Sequence, residues 1–273
     1  MATITINNEP LYYQDQGQGF PLLFGHSYLW DHTMWSPQIQ ALSQNFRCIT
    51  PDLWGHGHSG SLPKNTKTLT DLACEMLALM DALHIDQFAV IGLSVGGMWA
   101  TELALQAPER ILALTLMDTF VGKEPELSYK QYFAMLAAIE QAQAIPTSLL
   151  DKIVPLFFSP KTFKSQPHLI ENFQAHLKKL SPEKLQSIIP LGRMIFGRED
   201  RLNKLTNIQT PTLIITGEDD IPRPASEGKL MAEKLANASF ITIESAGHIS
   251  TLEQPQHVND ALFKFLQPLI TIN

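Results

Sequence analysis

The chain has no stretch approaching the ~20 consecutive apolar residues that a helical membrane span requires. Met1 to Pro10 contains no basic region followed by an apolar one, so the expectation is a cytoplasmic protein without a membrane partner. Basic charge is scarce as well: 20 Lys and Arg stand against 27 Asp and Glu, a net charge of −7, and no basic run exceeds the pair Lys178 and Lys179. That leaves no footprint for a phosphate backbone and excludes nucleic acid as an expected partner. Cysteine is nearly absent. Cys48 lies in an apolar run and Cys74 in a helical pattern; the two match neither a zinc motif nor a disulfide framework and read as buried free thiols. No H-E-x-x-H occurs, and neither a P-loop nor G-x-G-x-x-G follows any apolar run, so neither a metal nor a cofactor is expected. There is no internal repeat and no low-complexity tract. What is present is ordinary: 273 residues, 44% of them hydrophobic, enough for one sizeable core that needs no staples.

Apolar spacing divides the chain. Thr3 to Ile6 alternates and Leu11 to Tyr13 follows Pro10, which predicts an antiparallel edge hairpin. Pro21 to Phe24, Arg47 to Thr50, Phe88 to Ile91 and Leu112 to Met117 are short, mostly continuous apolar runs suited to a parallel sheet covered on both faces. Between them lie helical patterns. Leu69, Leu72, Ala73, Met76, Leu77, Met80 and Leu83 share a face behind a Thr68/Asp71 capping box, and a second pattern runs from Val95 to Ala107. Strand and helix in alternation predict an α/β fold with right-handed crossovers.

The alternation stops after Asp118. Residues 120–202 hold helical stretches at Tyr129 to Gln143 and Leu169 to Leu180, punctuated by Pro146, Pro155, Pro160, Pro167, Pro182 and Pro190, with no convincing strand. An all-helical cap over 120–202 is expected, with 1–119 and 203–273 forming the core. Strand and helix resume at Thr212 to Thr216, Ala225 to Leu235, Phe240 to Ile243 and Gln256 to Leu266.

One turn carries chemistry. The run ending at Ile91 enters Gly92-Leu93-Ser94-Val95-Gly96-Gly97, and a helix follows at once: a G-x-S-x-G elbow between strand and helix. A serine hydroxyl is a weak nucleophile and needs a base with an acid behind it. Of nine histidines only His248, in Ser245-Ala246-Gly247-His248, follows a late strand beside a glycine. Asp220, in Gly217-Glu218-Asp219-Asp220, leads the acids, with Asp219 beside it and Asp118, past the Leu112 to Met117 run, as the others. The carboxyl ends of parallel strands share one sheet edge, so Ser94, Asp220 and His248 can converge. Asp52 to Ser59 offers His56, His58 and Asp52 within one Gly-rich stretch, but it reads as a tight turn with hydrogen-bonded structural residues rather than a metal site.

These motifs, with Pro51 to Ser59 and with Ala246-Gly247-His248 followed by Glu253-Gln254-Pro255, resemble the α/β-hydrolase fold superfamily over nearly the whole chain. Within it the pattern is most similar to carboxylesterases and 3-oxoadipate enol-lactonase-like hydrolases. The resemblance implies a mostly parallel sheet, a helical cap over 120–202, and Asp220 rather than Asp219 as the acid. It implies cleavage of a small-molecule carboxylic ester or lactone through an acyl-enzyme on Ser94. Aligning Phe24-Gly25-His26-Ser27-Tyr28 with the family's His-Gly loop places the oxyanion-binding N–H groups on Tyr28 and Val95, with Ser27 where glycine is usual. Trp30, Tyr132, Phe133 and Leu136 are candidate substrate contacts under an apolar cap, and small to medium apolar substrates are expected. Arg193, Arg198 and Arg201 are assigned to solvated surface. The same triad also serves carbon–carbon bond hydrolases, thioesterases and cofactor-free haloperoxidases, and the fold serves some receptors.

Overall fold

A computed structural model describes residues 2–271. Eight strands form one sheet: β1 Ala2–Ile6, β2 Glu9–Gln16, β3 Phe20–Gly25, β4 Phe46–Pro51, β5 Phe88–Leu93, β6 Ile111–Met117, β7 Thr212–Gly217 and β8 Ala238–Ile243, in the order β1-β2-β4-β3-β5-β6-β7-β8. β1 and β2 pair antiparallel, as the alternation of Thr3 to Ile6 predicts, and β2 pairs antiparallel with β4; β4 through β8 run parallel in the order given. Every residue of β5 and of β7 is buried, whereas the edge strand β1 alternates and β8 is half-covered. Continuous apolar runs therefore mark the middle of the sheet.

The helices are α1 Ser36–Leu42, α2 Leu69–Ala82, α3 Val95–Gln106, α4 Glu126–Ala142, α5 Thr147–Ile153, α6 Thr162–Ser165, α7 Pro167–Lys178, α8 Pro182–Phe196, α9 Ala225–Lys234, α10 Ser250–Glu253 and α11 Pro255–Leu266. The capping box of α2 is complete: Thr68 Oγ1 accepts from Asp71 N at 3.1 Å and Asp71 Oδ2 accepts from Thr68 N at 2.9 Å. β3 leads through α1 to β4 on one side, whereas β4 returns through α2 to β5 on the other. Right-handed crossovers then put α1 on one face and α2 and α3 on the opposite one. Between β6 and β7 the chain forms α4 to α8, with no strand among the described residues. Cys48 is buried, but Cys74 is exposed: it lies off the Leu72, Ala73, Met76 face of α2, its Sγ 3.0 Å from Gln106 Oε1.

The order reverses between β3 and β5, which lie side by side with Gly25 opposite Gly92. A crevice at the carboxyl ends of strands opens at such a reversal, and the loops leaving β3 and β5 are the ones that line it.

Candidate active site

Ser94 sits between β5 and α3 with φ 56° and ψ −117°, outside the region an L-residue prefers. Its N–H donates to Met117 O at 2.9 Å, and its carbonyl accepts from Thr119 Oγ1 at 2.6 Å and Met98 N at 3.1 Å. The turn is tight enough to require two glycines. A Cβ on Gly92 would meet the Gly96 carbonyl at 2.3 Å, and a Cβ on Gly96 would meet Gly25 O at 2.1 Å.

His248 follows β8, its Nδ1 3.0 Å from Asp220 Oδ2 and 3.2 Å from Oδ1. With Nδ1–H donating to the carboxylate, Nε2 holds the free lone pair. Arg223 N also donates to Asp220 Oδ1, at 3.0 Å. The three residues are almost fully buried, and Ser94 and His248 line the same cavity with no hydrogen bond between them among the described residues. Hydrogen bonds of this kind often tighten only when substrate is bound.

The other acids point elsewhere. Asp219 accepts from Ser159 Oγ. Asp118, at the end of β6, accepts from Gly217 N at 2.7 Å and from Ser250 Oγ at 2.6 Å, and so ties β7 and α10 together. Burial and the neighbouring Asp220 charge push its carboxyl well above the usual range.

The loop after β3 is pinned by histidines. Leu53 N donates to His26 Nε2 at 2.8 Å and Leu29 N donates to His56 Nε2 at 3.1 Å, so both rings carry their proton on Nδ1, which donates to Ser27 O and Trp54 O. Burial holds both rings neutral, His56 down to about 3. Asp52 accepts from the His32 ring, His32 N and His58 N, each at 2.8 Å. In the same turn Ser59 Oγ donates to Asp52 O at 2.7 Å, so Asp52, His56 and Ser59 are engaged in hydrogen bonds within the protein. Ser27 N approaches Met34 Sδ at 3.3 Å, so Tyr28 N lies between two engaged N–H groups and has no acceptor of its own among the described residues. Val95 N, first in α3, is free by its place in the helix. Ser27 keeps a negative φ, and the left-handed residue of this loop is Leu29, φ 68°. A side chain at 27 therefore needs no strained backbone.

Of the predicted substrate contacts, Tyr132 and Leu136 line the cavity, but Trp30 and Phe133 do not. Trp30 stacks on Phe173 with ring centroids 4.5 Å apart, and Phe133 stacks on Tyr129 at 4.2 Å; each aromatic found a flat partner within the helical segment instead. The assignment of Arg198 to the surface is also corrected: it is 6% exposed and pairs with Glu124 at 2.6 Å, whereas Arg193 stays exposed with Glu140. The cavity holds about 90 Å³ and is walled by apolar residues of the helical segment, among them Met135, Ile139, Ile188 and Phe196. Helix α8 is anchored over it by Tyr28, whose hydroxyl donates to Ile188 O at 2.8 Å.

Spacing did not reveal three groups. Arg223 and Glu124 line the cavity, and Glu253 accepts from Gly247 N at 2.8 Å and from Ser159 N at 2.7 Å. Arg223, three residues past Asp220, could have been found from its place on the acid loop; Glu124 gives no signal before the fold is known.

A model of the alpha/beta hydrolase fold matches residues 20–255. The chain belongs to the α/β-hydrolase fold family. It is 27% identical over 262 residues to 3-oxoadipate enol-lactonase 2 of Acinetobacter baylyi, covering 95% of this chain and 94% of that one. Among solved structures, a hydrolase from Pseudomonas aeruginosa PA01 superposes with a TM-score of 0.86 at 30% identity, covering 97% of each chain. A thermophilic esterase from Thermogutta terrifontis, solved with malate bound, gives a TM-score of 0.89 at 26% identity over 99% of this chain and 100% of that one. At this level the chain is a hydrolase of the α/β fold.

Proposed function

We propose that the protein hydrolyses carboxylic esters or lactones through an acyl-enzyme on Ser94. The observation that carries this reading is the Ser94 elbow sharing one small cavity with His248, whose Nδ1 is held by Asp220 at 3.0 Å. In this mechanism Ser94 Oγ attacks the carbonyl carbon while His248 Nε2 takes its proton. Asp220 stabilises the imidazolium, and the N–H groups of Tyr28 and Val95 receive the oxyanion. The imidazolium then protonates the leaving oxygen. Water, deprotonated by the same nitrogen, attacks the acyl-enzyme and frees Ser94.

The helical segment 120–202 acts as the cap: its apolar wall excludes water from the acyl-enzyme and selects for apolar substrate bodies. The enol-lactonase and esterase relatives support an oxygen-ester carbonyl as the reacting group. The assay is release of p-nitrophenol from p-nitrophenyl esters of increasing acyl length at neutral pH, by the protein and by Ser94→Ala. The expected result is release that falls on the order of 10³-fold or more in Ser94→Ala while the circular dichroism spectrum is unchanged. Equal release by both proteins overturns the assignment. Release from thioesters or carbon–carbon substrates in preference to esters replaces the substrate class but keeps the nucleophile.

A further inference from the structure

Three consecutive residues at the end of β6 touch the loops of all three reacting residues. Met117 O accepts from Ser94 N at 2.9 Å and Thr119 Oγ1 donates to Ser94 O at 2.6 Å, so the nucleophile's backbone is held on both sides. Between them, Asp118 reaches the other two loops. Its Oδ1 accepts at 2.7 Å from Gly217 N, three residues before Asp220, and its Oδ2 accepts at 2.6 Å from Ser250 Oγ, two residues after His248. Asp118 is fixed in turn by its own N–H, which donates to Ile215 O at 2.8 Å. Met117, Asp118 and Ser250 are wholly buried, Thr119 nearly so, and none of the four lines the cavity. Neither solvent nor substrate therefore reaches this carboxyl.

Apolar groups of the same shape could fill this space at little cost to stability, so what a buried carboxyl adds is direction. Burial and the Asp220 charge push it well above the usual range, and its two partners are neutral; it offers hydrogen bonds rather than charge. The two loops it joins also press on each other, since a Cβ on Gly217 would meet Gly247 O at 2.2 Å. No hydrogen bond links Ser94 to His248 among the described residues, so their relative placement is set by what anchors their loops. We propose that Asp118 is a positioning residue: through Gly217 N and Ser250 Oγ it fixes the acid loop and the histidine turn on the strand end that also holds Ser94. It thereby sets how His248 approaches both of its partners. The inference rests on the triad reading of the site. A reacting group misplaced by about 1 Å can lose on the order of a hundredfold in rate, which is the scale of effect expected here.

The test compares two variants at this position, where φ is 46°. Asp118→Gly removes the carboxyl and accepts that φ; Asp118→Asn keeps an oxygen for Gly217 N and an amide to donate to Ser250 Oγ. Steady-state kinetics on one p-nitrophenyl ester gives kcat and KM. Proton NMR follows the downfield Nδ1–H resonance of His248, assigned by its absence from His248→Ala. In Asp118→Gly, kcat should fall about a hundredfold with KM within about threefold of wild type, and the resonance should shift or broaden. Asp118→Asn should restore both. Ser250→Ala should shift the resonance as well, whereas Thr119→Val should slow fluorophosphonate labelling of Ser94 and leave the resonance in place. Wild-type kcat and resonance in a folded Asp118→Gly, or equal losses in Asp118→Gly and Asp118→Asn, overturn the proposal. If Asp118→Gly does not fold, Ser250→Ala and Thr119→Val decide: their separate effects uphold it and wild-type behaviour of both overturns it. If the wild type neither hydrolyses the ester nor takes the label on Ser94, the triad reading fails and the resonance alone decides: altered in Asp118→Gly and restored in Asp118→Asn upholds the positioning role, and unaltered overturns it.

Discussion

At the scale of single residues, Asp220 and Asp118 compete for one role, and their hydrogen bonds separate them. Asp220 faces His248 at 3.0 Å, while both oxygens of Asp118 are taken by Gly217 N and Ser250 Oγ. Asp220→Asn should lower kcat by on the order of 10⁴-fold, because the amide favours the wrong imidazole tautomer. Asp118→Asn should cost less, and steady-state kinetics on one ester compares them; a larger loss in Asp118→Asn would transfer the role. Tyr28 shows a different division of labour within one residue. Its backbone N–H faces the reacting group in the proposed mechanism, but its hydroxyl holds α8 through Ile188 O. Tyr28→Phe removes that buried hydrogen bond, which should cost about 1 kcal/mol and lower Tm by a few degrees. A Tm unchanged in differential scanning calorimetry would show that water replaces the hydroxyl.

At the scale of elements, the elbow and the buried strands of the sheet were readable because local sterics and strand periodicity leave few choices. Gly92, Ser94 and Gly96 announce a turn in which no larger side chain fits, and the buried runs of β5 and β7 announce central strands. Gly96→Ala drives a methyl group into Gly25 O, so this variant should be insoluble or destabilised by several kcal/mol, checked by soluble yield and urea unfolding. Long-range pairing was not readable. Phe133 meets Tyr129 four residues back on α4, a neighbour that helical spacing does report, whereas Trp30 is aromatic and near the loop in question, yet the ring it stacks on, Phe173, lies on α7, far away in sequence. Arg198 looked like surface for the same reason: its partner Glu124 lies at the other end of the helical segment. Glu253 joins the loop bearing His248 to that segment through Gly247 N and Ser159 N. Its contacts span distances that no local spacing reports.

At the scale of the whole molecule, the buried histidines shape the response to acid. The unfolded chain protonates histidine near pH 6.5, but burial holds His56 down to about 3 and lowers His26 too. Between those values the unfolded state binds more protons, so stability falls as pH drops from 6.5 towards about 3. Each such group contributes up to about 1.4 kcal/mol per pH unit across its window. Glu227 and Glu253, raised by burial to about 7, act in the opposite sense between their unfolded value and 7, so the informative quantity is a difference. His56→Gln should flatten the fall of unfolding free energy between pH 7 and pH 5 relative to wild type, measured by urea titration; parallel curves would show that His56 protonates in the folded state. The central claim concerns the reacting atom, and intact-mass spectrometry with peptide mapping after exposure to a fluorophosphonate tests it most directly. The account predicts one adduct, on Ser94, absent from Ser94→Ala and slowed when His248 is replaced by Ala. Labelling that persists in Ser94→Ala, or a folded wild-type protein that takes no adduct, would contradict it.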